Sequence, residues 1–180
     1  MMAITEIPNY GRWLSMKPSD FFRQVTDPNI REALLNFDDY RLAVNAILTI
    51  DATYGVLFDY LQKVDHPLLM QITARNNRRS IDDSDFKEHF AQQDQQFAVL
   101  RDAAYATKHG RLTGSKARLV TAAADIAIGG VGCGDMICGH DPLGGDAVFI
   151  QTGNQNLVRA EFLIEDVSKS TQALLQQLNA

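Results

Sequence analysis

The segment 100–111, LRDAAYATKHGR, holds the residues whose types and spacing could do chemistry. It places opposite charges, a tyrosine and a histidine on one predicted helix: Arg101, Asp102, Tyr105, Lys108 and His109. A rotation of about 100° per residue puts Asp102, Tyr105 and His109 on one stripe of that helix. Since an arginine can hold a phosphodiester while a histidine moves a proton, the candidate catalytic residues are Arg101, Asp102 and His109.

A structural role explains the same residues. Positive charge in the last helical turn is favoured by the helix dipole, by up to ~1 kcal/mol, which accounts for Lys108 and His109. Arg101 and Asp102 could instead each anchor a loop or pair with Asp59, Asp51 or another helix. Catalysis requires Arg101 and His109 exposed in a cleft, whereas a structural role requires Arg101 and Asp102 to be buried and paired.

Basic residues cluster around this segment although the chain as a whole is acidic. The formal net charge of −5 gives no overall bias toward nucleic acid. Positions 103 to 124 contain no acid, and they contain Lys108, Arg111, Lys116 and Arg118. Such a run is typical of a solvated face, and the alternative is a local surface for an anion or RNA. Tyr105, Lys108 and Arg111 are therefore candidate binding residues.

Apolar spacing of three and four predicts two long helices that pack as an antiparallel hairpin. The first runs from Asp38 or Asp39 to about Val64. The second starts at Ser80 or Asp82 and carries the 100–111 segment, and Gly110 suits the position just after its end. Before them, residues 1–15 are predicted to be an irregular arm. A helix that opens near Lys17 is predicted to be interrupted at Asp27-Pro28.

The periodicity then changes to that of strands. Alternating apolar residues predict a strand over 118–128 and a hairpin whose second strand covers 157–164. A helix from about Glu165 to Leu178 closes the chain. The 180 residues are predicted to form one α+β, mainly helical domain. Its parts are the arm 1–15, a helical part 16–110, a sheet 111–164 with a glycine-rich loop 129–145, and a C-terminal helix 165–180.

The glycine-rich loop 129–145 contains Cys133, Cys138 and His140, which with Asp135 or Asp141 could in principle ligate zinc. Their spacing matches no structural zinc pattern, and a second Cys/His pair is absent. The loop also lacks the Gly-Lys-Ser/Thr ending of a phosphate-binding loop. We therefore interpret it as a strand connection and predict no metal and no cofactor.

Composition indicates a soluble protein. No uninterrupted apolar segment approaches the ~20 residues that cross a bilayer, and the first residues lack the pattern of a signal peptide. The two cysteines are more typical of reduced thiols than of a disulfide. We expect a cytoplasmic protein without a membrane partner.

The sequence RDAAYATKH at 101–109 resembles an Arg-Asp-x-x-Asn-x-x-Lys-His signature of bacterial and prophage-associated helical proteins that have no settled function. This chain has Tyr105 in place of the asparagine. In that group an upstream helix often carries an Asp followed by an aromatic residue, which Asp59-Tyr60 matches. The resemblance makes Asp59 a further candidate binding residue.

The segment is also distantly similar to the HEPN superfamily of helical bundles, many of them metal-independent ribonucleases of toxin–antitoxin and phage-defence systems. These dimerise around an Arg-x(4–6)-His motif, so the resemblance implies Arg101 and His109 as a catalytic pair. Here seven residues separate the two, and a C-terminal sheet is not part of the minimal HEPN bundle.

The expected function is a non-enzymatic protein-interaction or structural role. The partners expected are a second copy of the chain in a homodimer and another protein; RNA is not indicated by the overall charge. The alternative is a HEPN-like metal-independent ribonuclease that uses Arg101 and His109.

Overall fold

The fold is described from a computed structural model, over residues 16–75, 79–112, 118–132, 136–141, 144–153 and 155–180. The predicted class is confirmed: the chain is α+β and mainly helical, with a small antiparallel sheet and a C-terminal helix. The α-helices are α1 Pro18–Phe21, α2 Asp27–Leu35, α3 Tyr40–Lys63, α4 Pro67–Arg75, α5 Asp83–Ala91, α6 Gln95–His109 and α7 Ala160–Gln177. The strands are β1 Ile126–Gly130, β2 Asp146–Gln151 and β3 Leu157–Arg159.

The predicted interruption at Asp27-Pro28 is wrong. A π-helical segment, Phe22–Thr26, joins α1 to α2, so the helix runs on through the proline. Pro28 lies in the first turn of α2, where a helix can do without the N–H that proline lacks. The wide π-helical turn before it makes room for the proline ring. The sequence shows the proline but not the widened turn that accommodates it.

The first long helix, α3, begins where the sequence predicts. The side chain of Asp39 caps it by accepting a hydrogen bond from Leu42 N (3.1 Å). Its buried face includes Ala46, Ile47, Ile50, Leu57 and Leu61. Among the described helices α3 alone is long and apolar enough to span a membrane, and 56% of its apolar window is buried inside the protein. This burial is consistent with a core helix of a soluble protein.

The second long helix is two helices, which corrects the prediction. The chain turns after α5, where Gln93 N and Asp94 N both donate to Phe90 O (2.9 Å each). The Asp94 side chain then caps α6 by accepting from Gln96 N and Phe97 N (2.9 and 3.2 Å). Both α5 and α6 pack against α3. The local cap at Asp94 therefore overrides a periodicity that continues on both sides of it.

The sheet is smaller than predicted, with the order β1-β2-β3 and antiparallel pairing throughout. The strand predicted over 118–128 begins only at Ile126, because a 3₁₀ turn at Ala123–Asp125 precedes it. The strand predicted over 157–164 ends at Arg159, where α7 begins. Ala160, Leu163, Ile164 and Val167 are all buried, in steps of three and four that fit a helix and that a period of two does not explain.

The main core joins α3, α6 and α7. Tyr54 of α3 stacks on Phe97 of α6 with ring centroids 4.0 Å apart. Thr171 Oγ1 of α7 lies 3.5 Å from the hydroxyl oxygen of Tyr54. Burial raises the pKa of Tyr54 to about 12. A smaller apolar cluster covers the other face of the sheet, where Phe37 packs near Phe149.

Candidate functional site

The structure places the predicted site residues in two environments. Arg101 and Asp102 are buried, whereas Tyr105, Lys108 and His109 are exposed. The predicted stripe exists in part, because the rings of Tyr105 and His109 lie 4.6 Å apart. Helix α6 ends at Gly110, whose φ of 76° is costly for other residues. The predicted role of Gly110 as the residue that ends this helix is confirmed.

Asp102 anchors the segment that follows α6. Its Oδ1 accepts from Arg118 Nη1 (2.7 Å) and from Arg101 Nη2 (3.0 Å), and its Oδ2 accepts from Leu119 N (2.8 Å). The side chain of Asp102 is only 2% exposed. The carboxylate therefore ties Arg118 and Leu119, which precede the sheet, to the helical part of the chain.

Arg101 is held by carboxylates on two helices. Its Nη1 donates to Glu88 Oε2 of α5 (2.9 Å), while Nε and Nη2 donate to Asp102 of its own helix. Arg101 and His109 are eight positions apart, about 12 Å of helix rise, on faces that differ by roughly 80°. The structure thus does not bring the proposed catalytic pair together.

A second group of ion pairs centres on Asp51, which is buried in α3. Its Oδ2 accepts from Lys108 Nζ of α6 (2.6 Å) and from Lys87 Nζ of α5 (3.1 Å). Lys87 also pairs with Asp83 (3.1 Å). Three helices are therefore joined at one carboxylate, and of the two lysines that bind it Lys108 is the one that reaches the surface.

These two groups line a cleft of about 300 Å³. We call it the charged cleft; its lining residues are Asp51, Asp82, Asp83, Ser84, Lys87, Arg101, Tyr105, Lys108 and Arg118. The guanidinium of Arg118 lies over the Tyr105 ring, 5.3 Å from its centroid. One wall is thus basic and aromatic, from α6 and Arg118. The other, at the start of α5, holds Asp82 and Asp83, with Lys87 paired to Asp83.

Two predicted binding residues lie outside the charged cleft. Asp59 is exposed on α3, pairs with Lys63 one turn later (2.6 Å) and is not among the residues that line the charged cleft. An acid at that position forms the ordinary i,i+4 pair of a solvated helix face. Arg111 is exposed and forms a β-bridge with Ala122 beyond the end of α6.

Sequence reasoning missed Lys87, Asp83 and Glu88, and gave no role to Arg118 beyond the basic cluster. Asp51 had a readable signal: it follows Ile50 and precedes Tyr54 by three positions, so it lies on the apolar face of α3. A carboxylate on a buried face requires a cationic partner from a neighbouring helix. Nothing comparable in the sequence pointed to Lys87.

The glycine-rich loop is fastened by a separate ion pair. Arg159 donates from Nη1 and Nη2 to the two oxygens of Asp141 (2.8 and 2.7 Å), and it also pairs with Glu161. Hydrogen bonds from Arg159, and then from Ile137 N, hold the pKa of Asp141 well below its usual range. Asp141 is thus engaged by protein donors.

The cysteine and histidine positions of this loop are separate from the charged cleft. Cys138 is a free, exposed thiol, and the His140 ring stacks on Phe37 with centroids 5.2 Å apart. Cys133 and Asp135 lie outside the described residues. Within the described ranges, no three His, Cys, Asp or Glu side chains form a group that could hold a metal ion.

Comparison with known proteins gives no relative from which a function could be transferred. No protein-family model, no curated protein and no solved structure matches this chain.

Proposed function

We propose that this protein is a non-enzymatic interaction domain whose charged cleft binds an acidic segment of a partner protein. The observation that carries the proposal is that Lys108 and Arg118 are each fixed by a carboxylate while some of their N–H donors stay available. Each is held in place by a buried carboxylate through one described hydrogen bond, to Asp51 and Asp102 respectively. A lysine ammonium has three N–H donors and an arginine guanidinium has five, so both cations keep donors for a ligand.

The geometry favours binding over catalysis. Both oxygens of Asp102 accept hydrogen bonds, from Arg101, Arg118 and Leu119 N. All three side-chain nitrogens of Arg101 donate to carboxylates of the protein. The His109 ring contacts the Tyr105 ring, and within the described part of the chain no carboxylate is hydrogen-bonded to His109. A proton-transfer mechanism in the charged cleft needs an acid or base aimed at a bound phosphate, and His109 is not among the residues that line the cleft.

The two walls of the cleft favour a carboxylate ligand over a polyphosphate backbone. Lys108 and Arg118 can receive a single acidic side chain at the α6 wall. The backbone of RNA carries a charge on every nucleotide, and its next phosphates would approach Asp82 and Asp83 on the α5 wall. A peptide can meet the same wall with a neutral or basic residue.

Titration with a capped peptide that carries one glutamate among neutral residues, monitored by amide chemical shifts, tests the proposal. We expect saturable shifts at the end of α6 that weaken as salt rises. Lys108→Ala should weaken binding by about two- to five-fold, the effect of one exposed charge pair. Lys63→Ala is the matched control, because Lys63 is an exposed lysine paired with a carboxylate four residues away on α3. Absence of saturable shifts, or equal effects of the two substitutions, would refute the proposal.

The ribonuclease alternative is tested with the same protein. Single-stranded RNA is incubated with the wild type and with His109→Ala in the presence of a chelator. We expect no cleavage by either protein. Metal-independent cleavage by the wild type that is lost in His109→Ala would replace the binding proposal with the nuclease.

We also infer a cytoplasmic location. Cys138 is a free, exposed thiol, and such thiols are typical of proteins in a reducing compartment. Cell fractionation of a tagged chain tests this inference, and recovery of the protein outside the cytoplasm would contradict it.

A further inference from the structure

Strand β1 lies at one edge of the three-stranded sheet and pairs with β2 on its inner side. Among the residues that the structure describes, no strand pairs with its outer side. The opposite edge offers fewer unpaired backbone groups. Its strand, β3, has only three residues, and past the end of β3 the N–H of Val148 in β2 already donates to Phe37 O (3.1 Å). The outer edge of β1 is therefore the longer unpaired edge of this sheet.

The hydrogen-bond pattern shows which backbone groups face outward. Val131 N donates to Gly145 O (2.9 Å), so the backbone N–H and C=O groups of Val131 point toward the β2 side. The direction of the backbone groups alternates from residue to residue along an antiparallel strand, so the N–H and C=O groups of Gly129 and Ala127 also point toward β2. The N–H and C=O groups of Ile128 and Gly130, and the C=O of Ile126, then point to the unpaired side. The Ile126 N–H is already donated to Ala123 O.

These outward groups are arranged symmetrically about Ile128. We propose that β1 pairs antiparallel with β1 of a second copy of this chain, about a two-fold axis at Ile128, to form a continuous six-stranded sheet. The Ile128 N–H of each copy donates to the Ile128 C=O of the other. The Gly130 N–H of each copy donates to the Ile126 C=O of the other. Two donors from each copy give four intermolecular hydrogen bonds, and the same strand supplies both sides.

The side chains of β1 permit this pairing. Its sequence, IAIGG, has no charged residue or proline of the kind that protects a sheet edge. Ala127 of one copy would lie opposite Gly129 of the other, so small residues meet on that face. Ile128 is 52% exposed although it lies opposite the fully buried Val148, and in the dimer the two Ile128 side chains would cover each other.

The oligomeric state of the full chain tests the proposal by light scattering after size exclusion. We expect a wild-type dimer, and a monomer for Ile128→Lys, since two like charges would face each other at the axis. Leu157→Lys is the matched control, because Leu157 is an exposed apolar residue (63%) on the other edge strand. The control should remain a dimer. Circular dichroism of both variants establishes that they are folded.

A second variant tests the register independently of folding effects. In a hydrogen-bonded antiparallel pair the opposed Cα atoms are about 5.5 Å apart, which suits a disulfide. Ile128→Cys, in a Cys133→Ser/Cys138→Ser background, should therefore cross-link into a covalent dimer under mild oxidation, whereas Leu157→Cys should not. A monomeric wild type overturns the proposal. So does a dimer that survives Ile128→Lys, one that Leu157→Lys disrupts equally, or one in which Ile128→Cys fails to cross-link.

Discussion

Replacement of Asp102 by alanine should destabilise the fold strongly. The substitution removes the carboxylate that accepts from Arg101, Arg118 and Leu119 N. It leaves two guanidinium groups with side chains only 9% and 14% exposed, of which Arg101 keeps its hydrogen bond to Glu88 and Arg118 loses its carboxylate. Removal of one partner of a buried ion pair costs about 3–5 kcal/mol, because the remaining charge is buried without compensation. For a chain of this length that corresponds to a fall in Tm of about 6–20 °C.

The measurement is urea unfolding followed by circular dichroism, with Asp59→Ala as the matched control. Asp59 also forms one ion pair with a basic residue, Lys63, but the two side chains are 62% and 49% exposed. An exposed pair contributes about 0–1 kcal/mol, so the two alanine variants should differ by at least about 2 kcal/mol. Asp102→Asn should fall between them, since an amide oxygen can still accept from Leu119 N.

The reasoning is refuted if Asp102→Ala costs no more free energy of unfolding than Asp59→Ala. It is also refuted if Asp102→Asn is as stable as the wild type, because the charge would then contribute nothing to the anchor. A loss of stability confined to the alanine variant would mean that the backbone hydrogen bond to Leu119, rather than the arginine pairs, carries the effect.

Two further predictions concern the helices around the site. Because burial raises the pKa of Tyr54 from 10.0 to about 12, the folded chain keeps a proton that the unfolded chain loses, and stability should fall as pH rises from 10 to about 12. Tyr54→Phe should abolish this alkaline loss in unfolding measurements at each pH, and an unchanged profile would contradict the assignment. Gly110→Ala should cost at least about 1 kcal/mol in urea unfolding because of its φ of 76°. Gly55→Ala, where a new Cβ would meet Asp83 Oδ1 at 3.4 Å, should instead be neutral or stabilising, and the opposite order would be inconsistent with this account.

The helical part of the fold was largely readable from the sequence because its signals are local. Asp39 caps α3 as predicted, and Gly110 ends α6 as predicted. The errors occurred where two local signals compete. Asp94 starts a new helix inside a continuous apolar pattern, and Ala160 and Ile164 fit both a strand and a helix. Tertiary packing of α7 decides the second case, and a single sequence does not contain it.

The candidate site was predictable only at the level of one helix. Spacing along α6 correctly placed Tyr105 beside His109. Spacing cannot show that Lys87 of α5 and Lys108 of α6 share Asp51 of α3, because that contact depends on how three helices pack. The resemblance that made Asp59 a candidate binding residue selected a side chain on the exposed face of α3, away from the charged cleft.

Two buried arginine–aspartate pairs do comparable work in this chain. Asp102 on a helix holds Arg118 from an irregular segment, and Arg159 at the start of α7 holds Asp141 from the glycine-rich loop. In both cases the aspartate or the arginine of the pair belongs to a connection that lies outside the helices and strands of the described residues. The charged residues of a motif such as 101–109 therefore divide by what their donors already contact. Arg101 is engaged by protein carboxylates, whereas Lys108 has donors left at the surface, so Lys108 rather than Arg101 is the cation available to a partner.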